Sequence, residues 1–119
     1  MVNLFMLIQH NYLSLTRKKS FLTQSDIAFV MKLPDYANVS RWENGQREPS
    51  LEALLLFELL FDTPIAVLFE RLKCELVPIL AERIMTRIQQ LKESPSDSTT
   101  PKRIDYLHVA FTRLASLNV

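Results

Sequence analysis

Glycine is almost absent. Gly45 is the only one in 119 residues. Tight sheet turns, dinucleotide-binding loops and P-loops each need several glycines, for positive φ or for close backbone approach to a phosphate. Their lack argues for an all-helical chain and against the commonest nucleotide-binding enzymes. Cys74 is the only cysteine, so no disulfide can form within the chain. That suits a reducing, cytoplasmic setting, and Cys74 itself reads as a small apolar filler on a helix. Histidine is scarce too. His10 and His108 stand far apart, with no HExxH, CxxC or clustered carboxylates. No metal, no cofactor and no enzymatic activity are therefore expected. No apolar run approaches the ~18 residues of a membrane span, so no membrane partner is expected either. The stretch Leu4-Phe5-Met6-Leu7-Ile8 lacks the basic flank and the length of a signal peptide. It reads as the start of a buried helix, or as an apolar arm packing on a partner.

What is present is ordinary globular material: 48% hydrophobic and 23% charged residues, enough for one core at this length. The net charge of +1 hides an asymmetry. Residues 16–47 carry +3, residues 48–75 carry −4 and residues 76–119 carry +2. An anionic ligand would meet the first block. The acidic stretch Glu48, Glu52, Glu58, Asp62 and Glu70 reads as a solvated surface, or as a protein-contact face.

Helical punctuation is dense. A first helix over about 4–19 ends in Arg17-Lys18-Lys19, cations suited to a C-terminal dipole. Thr23-Gln24-Ser25-Asp26 has the form of a capping box. It opens a helix over 24–32 with Ile27, Ala28, Val30 and Met31 as inward candidates. Pro34 ends the turn that follows, and Asp35 can cap a helix over Tyr36–Asn44, stopped by Gly45. Pro49-Ser50 introduces a helix over 51–61. Thr63 as N-cap and Pro64 at the first position introduce another. Leu68, Leu72, Leu76, Leu80, Ile84 and Ile88 then recur every four residues. Pro78 lies inside that pattern and predicts a kink or restart near Val77. Residues 94–101 read as a flexible linker and residues 102–117 as a last amphipathic helix.

Two short helices, 24–32 and 36–44, joined by a turn suggest a helix-turn-helix. The whole string is more specific. Leu22-Thr23-Gln24-Ser25-Asp26-Ile27-Ala28, Val39-Ser40-Arg41-Trp42-Glu43-Asn44-Gly45, Arg47-Glu48-Pro49-Ser50 and Thr63-Pro64-Ile65-Ala66-Val67-Leu68-Phe69 follow one another in order. This resembles the Cro and phage-repressor type of helix-turn-helix, the XRE family, over residues 11–70. The resemblance implies an all-α, five-helix lambda-repressor-like domain over 1–70, and the helical pattern beyond it adds a C-terminal helical extension. The extension comprises 71–93, the linker 94–101 and a C-terminal helix within 102–119. The chain departs from the family at Lys32-Leu33-Pro34, which replaces the usual turn glycine and adds a residue.

By that resemblance the function is sequence-specific binding of double-stranded DNA by a transcriptional regulator. Helix 36–44 would lie in the major groove with Tyr36, Ala37, Asn38 and Arg41 exposed towards the bases. Arg pairs bidentately with guanine and Asn with adenine, while Ala37 or the Tyr36 ring suits a thymine methyl. Tyr36 could instead pack against the turn. Gln24 is the residue with which the family holds a phosphate. Asn44 and Arg47 are expected on the sugar-phosphate backbone, and Lys18, Lys19 and Lys32 add long-range attraction or simply a solvated face. Arg17 and Glu43 match a structural ion pair of related repressors, so Glu43 is not expected to touch DNA. A two-fold homodimer is expected, with the apolar faces of 71–93 and 102–117 as its elements, or as a cap on the same chain. The alternative is a protein-interaction adaptor or antitoxin-like module, controlled by or binding a regulatory protein partner, with the same fold and no DNA readout.

Overall fold

A computed structural model describes residues 11–117 of the chain. The expectations for residues 4–10, and for His10, lie outside it. The elements among the described residues are all helical: α1 Leu13–Lys19, α2 Gln24–Val30, α3 Ala37–Glu43, α4 Leu51–Phe61, α5 Ile65–Leu68, α6 Glu70–Glu93 and α7 Thr100–Leu117. The chain divides into two compact units, residues 1–72 and 73–119, with the division inside α6.

In the first unit α1 to α5 surround one apolar core. Leu13, Ile27, Ala28, Val39, Trp42, Ala53, Phe57 and Leu68 form it. Phe57 meets Trp42 edge-on at 5.9 Å and stacks on Phe61 at 6.0 Å, both favourable ring arrangements. Polar groups tie the helices across long stretches of sequence. Buried Asn11 accepts from the Leu13 N–H and donates to the Trp42 carbonyl at 2.8 Å. Its side chain therefore starts α1 at Leu13, later than the continuous helix expected from 4–19. The Tyr12 N–H donates to the Leu68 carbonyl at 2.9 Å.

Four helices in this unit end in the left-handed conformation, and only one ends on glycine. Phe21, Lys32, Gly45 and Asp62 have φ of 63°, 56°, 71° and 48°. Around Phe21, Lys32 and Gly45 the amide of the residue just after the left-handed one reaches back five residues, to the carbonyls of Arg17, Ala28 and Arg41. This is the Schellman pattern, normally glycine's. In the turn between α2 and α3 Lys32 thus holds a conformation that glycine adopts most easily.

Caps account for the other ends. Thr23 and Asp26 complete a reciprocal capping box on α2. Ser50 Oγ accepts from the Ala53 N–H on α4. Thr63 does not cap α5; its hydroxyl donates to the Phe61 carbonyl at 2.9 Å. The N-cap position falls to Pro64, and the Ile65 N–H is satisfied by the Glu58 carboxylate at 2.9 Å. Glu58 is accordingly half-buried and does structural duty, while the acids at 48, 52, 62 and 70 are exposed. Val30, expected inward, is 55% exposed, because α2 stops at Val30 and turns only Ile27 and Ala28 fully into the core.

The second unit is simpler. α6 continues through Pro78 without a break. The lost bond belongs to the carbonyl of Cys74, on an exposed stretch that water can reach. Cys74 is exposed, not a core filler. Val77, Ile84, Ile88 and Leu91 are buried, whereas Leu76 and Leu80 of the same four-residue pattern are each 49% exposed. The expected linker is shorter than 94–101. Asp97 Oδ1 accepts from the N–H groups of Thr99 and Thr100 at 2.8 and 3.0 Å and starts α7 at Thr100. Those hydrogen bonds, together with the Thr99 and Thr100 hydroxyls, hold the Asp97 carboxyl down at about 2. No described helix is long and apolar enough to cross a membrane.

Candidate functional site

α3 has two contrasting faces. Val39, Trp42 and Glu43 are buried. Three and four residues around the turn, Arg41 and Asn44 are exposed, and Asn38 and Ala37 are half-buried at the same rim. Tyr36, just before the helix, is 56% exposed. The Ala37 N–H is held by Asp35 Oδ1 at 2.8 Å, so Asp35 caps this end from one position earlier than the last non-helical residue.

The buried side of α3 carries an ionic knot. Arg17 Nε donates to Glu43 Oε2 at 2.6 Å, and its Nη2 donates to Oε1 at 3.0 Å. The remaining Nη1 donates to the Leu22 carbonyl. Both side chains are nearly enclosed, at 12% and 5% exposure. The hydrogen bond to Glu43 raises the Arg17 guanidinium above its usual value, against the opposing effect of burial. A bidentate pair of this kind fixes orientation as well as charge.

Gln24 joins the same knot. Its Nε2 donates to Glu43 Oε1 at 3.0 Å. A carboxylate only accepts, so the amide nitrogen must face Glu43. One N–H of Gln24 remains for an outside acceptor. Sequence reasoning treated Gln24 and the ion pair as separate features, and the structure makes them one network. Gln24 and Tyr36 also line one shallow depression of about 430 Å³, together with Arg17, Leu22, Thr23 and Ser25. Ser25 was not singled out from the sequence. Its position one residue after Gln24, in the first turn of a capped helix, is the signal that could have found it.

On the outer rim, Arg41 Nη1 donates to Asn38 Oδ1 at 3.2 Å. The Asn38 carbonyl oxygen keeps a second lone pair and its amide keeps both donors. Asn44 Nδ2 lies 3.5 Å from Ser40 Oγ, too long to hold either group firmly. Arg47 is exposed and lies in none of these networks. The structure therefore joins Asn38 with Arg41, and Gln24 with Arg17 and Glu43, and leaves Arg47 apart. Lys18, Lys19 and Lys32 are exposed. Among the described residues no group of three or more His, Cys, Asp or Glu is arranged to hold a metal ion. The chain matches no family model, no curated protein and no solved structure.

Proposed function

We propose that the chain is a DNA-binding transcriptional regulator of the XRE type, reading a specific site in the major groove with α3 and acting as a two-fold dimer. One observation carries the reading. The inner face of α3 is committed to the core by Val39, Trp42 and the Glu43 ion pair, while Asn38 and Arg41 reach the surface with no carboxylate partner. Asn and Arg are the two side chains suited to bidentate recognition of adenine and guanine edges. The five helices α1 to α5 are taken as the helix-turn-helix domain, with α2 and α3 as its central pair and Lys32 standing in the glycine position of the turn.

The supporting groups divide by task. Gln24, Asn44 and Arg47 contact the sugar-phosphate backbone, which positions the domain without reading sequence. Tyr36 and Ala37 flank the reading residues. Apolar side chains left exposed on α6 and α7, among them Leu76, Leu80 and Val109, supply the dimer contact. Two copies double the basic surface of a chain whose own net charge is only +1. Binding is therefore steeply salt-dependent.

Selection of bound fragments from random duplex DNA at moderate salt tests this directly. A palindromic motif with half-centres about one helical turn apart is expected. On that site Arg41→Ala weakens binding by about 1–3 kcal/mol and relaxes one base position. Gln24→Ala and Arg47→Ala weaken binding to all sequences. No enriched motif, or an Arg41→Ala variant of unchanged affinity, overturns the reading. If no duplex shifts at low salt and a protein co-purifies in its place, the fold serves as an adaptor.

A further inference from the structure

The second unit contains a groove that the DNA-binding reading does not use. It has a volume of about 490 Å³, lined by three cations, Arg87, Lys102 and Arg103, by Leu91, Leu107 and the Tyr106 ring, and by the polar Thr99. That volume falls in the range of small-molecule sites. No carboxylate lines it. Glu82 and Asp105 line two neighbouring depressions, which share Arg87 and Leu91 with this one. Arg87 donates to the neutral amide of Gln90 at 3.1 Å.

The placement of two of these cations is unfavourable in itself. Lys102 and Arg103 stand near the start of the eighteen-residue helix α7, whose first turn has no acidic residue. The positive end of a helix dipole favours anions there and disfavours cations. Asp97 offsets part of that field, but its Oδ1 is engaged by the amides and hydroxyls of Thr99 and Thr100. The groove thus gathers three like charges and a helix start over an apolar floor. All three cations are exposed; together they attract an anion, whose binding adds to the stability of the fold.

We infer that this groove binds a small organic anion, a single carboxylate on an apolar body. The head group meets Lys102, Arg103 and Arg87, and the body lies on Leu91, Leu107 and the Tyr106 ring. A multiply charged inorganic ion would leave the apolar floor unused, and a neutral lipid-like molecule would leave the cations unrelieved. The inference is independent of whether α3 reads DNA.

Octanoate, octan-1-ol and inorganic phosphate, titrated into the full chain and followed by backbone amide resonances, test it. Octanoate is expected to bind saturably, with shifts confined to the neighbourhood of Arg87, Leu91, Tyr106 and Leu107, and at least tenfold more tightly than octan-1-ol or phosphate. The double variant Lys102→Gln/Arg103→Gln is expected to weaken octanoate at least tenfold, while the ligand-free protein melts at the same temperature or higher. That combination separates a binding role from a structural one. Equal affinity for octan-1-ol reduces the groove to an apolar crevice, and equal affinity for phosphate removes the apolar body from recognition. Octanoate binding that survives the double variant, or loss of duplex affinity in that variant with no octanoate binding at all, overturns the assignment.

Discussion

The two units are stabilised in different ways. In residues 11–72 the polar side chains reach far along the chain. Asn11 bonds to Trp42, and Arg17 and Gln24 bond to Glu43; a backbone bond from the Tyr12 amide to the Leu68 carbonyl spans further still. In residues 73–119 the side-chain hydrogen bonds from Thr86 to Ser116 close within four residues. Local bonds support a helix but do not fix one helix against another. The first unit therefore has one defined arrangement. The second relies on apolar side chains and leaves Leu76, Ile79, Leu80 and Tyr106 exposed. A region of that kind opens at lower free energy.

The sharpest way to break this contrast is at Glu43. Glu43→Ala removes the acceptor of Arg17 Nε and Nη2 and of the Gln24 amide, and leaves the guanidinium only the Leu22 carbonyl. Loss of one partner of an enclosed pair costs about 3–5 kcal/mol. The denaturation midpoint of the first unit should fall accordingly, with amide exchange in α7 unchanged. A fall below ~1 kcal/mol would place the pair with ordinary surface ion pairs. Asn11→Ala comes next. It removes the acceptor for the Leu13 amide and the donor to the Trp42 carbonyl. Stranding buried backbone groups in this way costs about 1–3 kcal/mol. Urea unfolding followed by Trp42 fluorescence reads both variants, since Trp42 is the only tryptophan.

Much of the first unit was legible because its signals are local. The Thr23–Asp26 box, the helix start after Pro49-Ser50 and the Gly45 stop depend on residues within a few positions, and the all-helical class followed from the missing glycines. What was not legible depended on distance or on a rule broken. Asn11 interrupts an apolar run, and nothing near it in sequence announces a bond to Trp42. Glu58 looked like one acid among several, yet it bonds to Ile65 seven residues on. Thr63 followed by Pro64 has the form of a capped start, but the hydroxyl turns back to Phe61. In the second unit the four-residue apolar repeat was plain from the sequence. Which of its members are covered was not, because a single repeat does not say how much of it a neighbour hides. At the candidate site the separate residue types could be read directly, while the joining of Gln24 to the Arg17–Glu43 pair required the fold.

The left-handed stops offer a smaller effect of opposite sign. A non-glycine residue in that conformation costs about 1–2 kcal/mol, part of which glycine gives back through its freer unfolded chain. Lys32→Gly and Phe21→Gly should each stabilise the first unit by about 1 kcal/mol in urea. Phe21, 93% exposed, has no packing to lose. If both substitutions destabilise, the turns are held by something other than backbone conformation.

The smallest effect compares the caps of the two units in acid. Asp26 is held below its ordinary value by the Thr23 amide and hydroxyl. Asp97 is held further down, at about 2 against an ordinary 3.8, by the Thr99 and Thr100 hydroxyls and amides. A carboxyl whose folded value is depressed stabilises fully above its unfolded value and loses that contribution as pH falls through the folded one. The Asp97 contribution is therefore complete above about pH 4 and drains between there and about 2. Carboxyl carbon shifts followed across this window should show Asp26 protonating before Asp97. The amides of Thr99 and Thr100 should lose their shifts with Asp97, and the first turn of α7 should fray at the same pH. In Asp97→Ala that fraying is present at neutral pH, and the remaining acid response of α7 disappears. A first turn equally intact in that variant would mean that α7 starts on its own helical preference and that the second unit needs its cap less than its scarcity of long-range bonds implies.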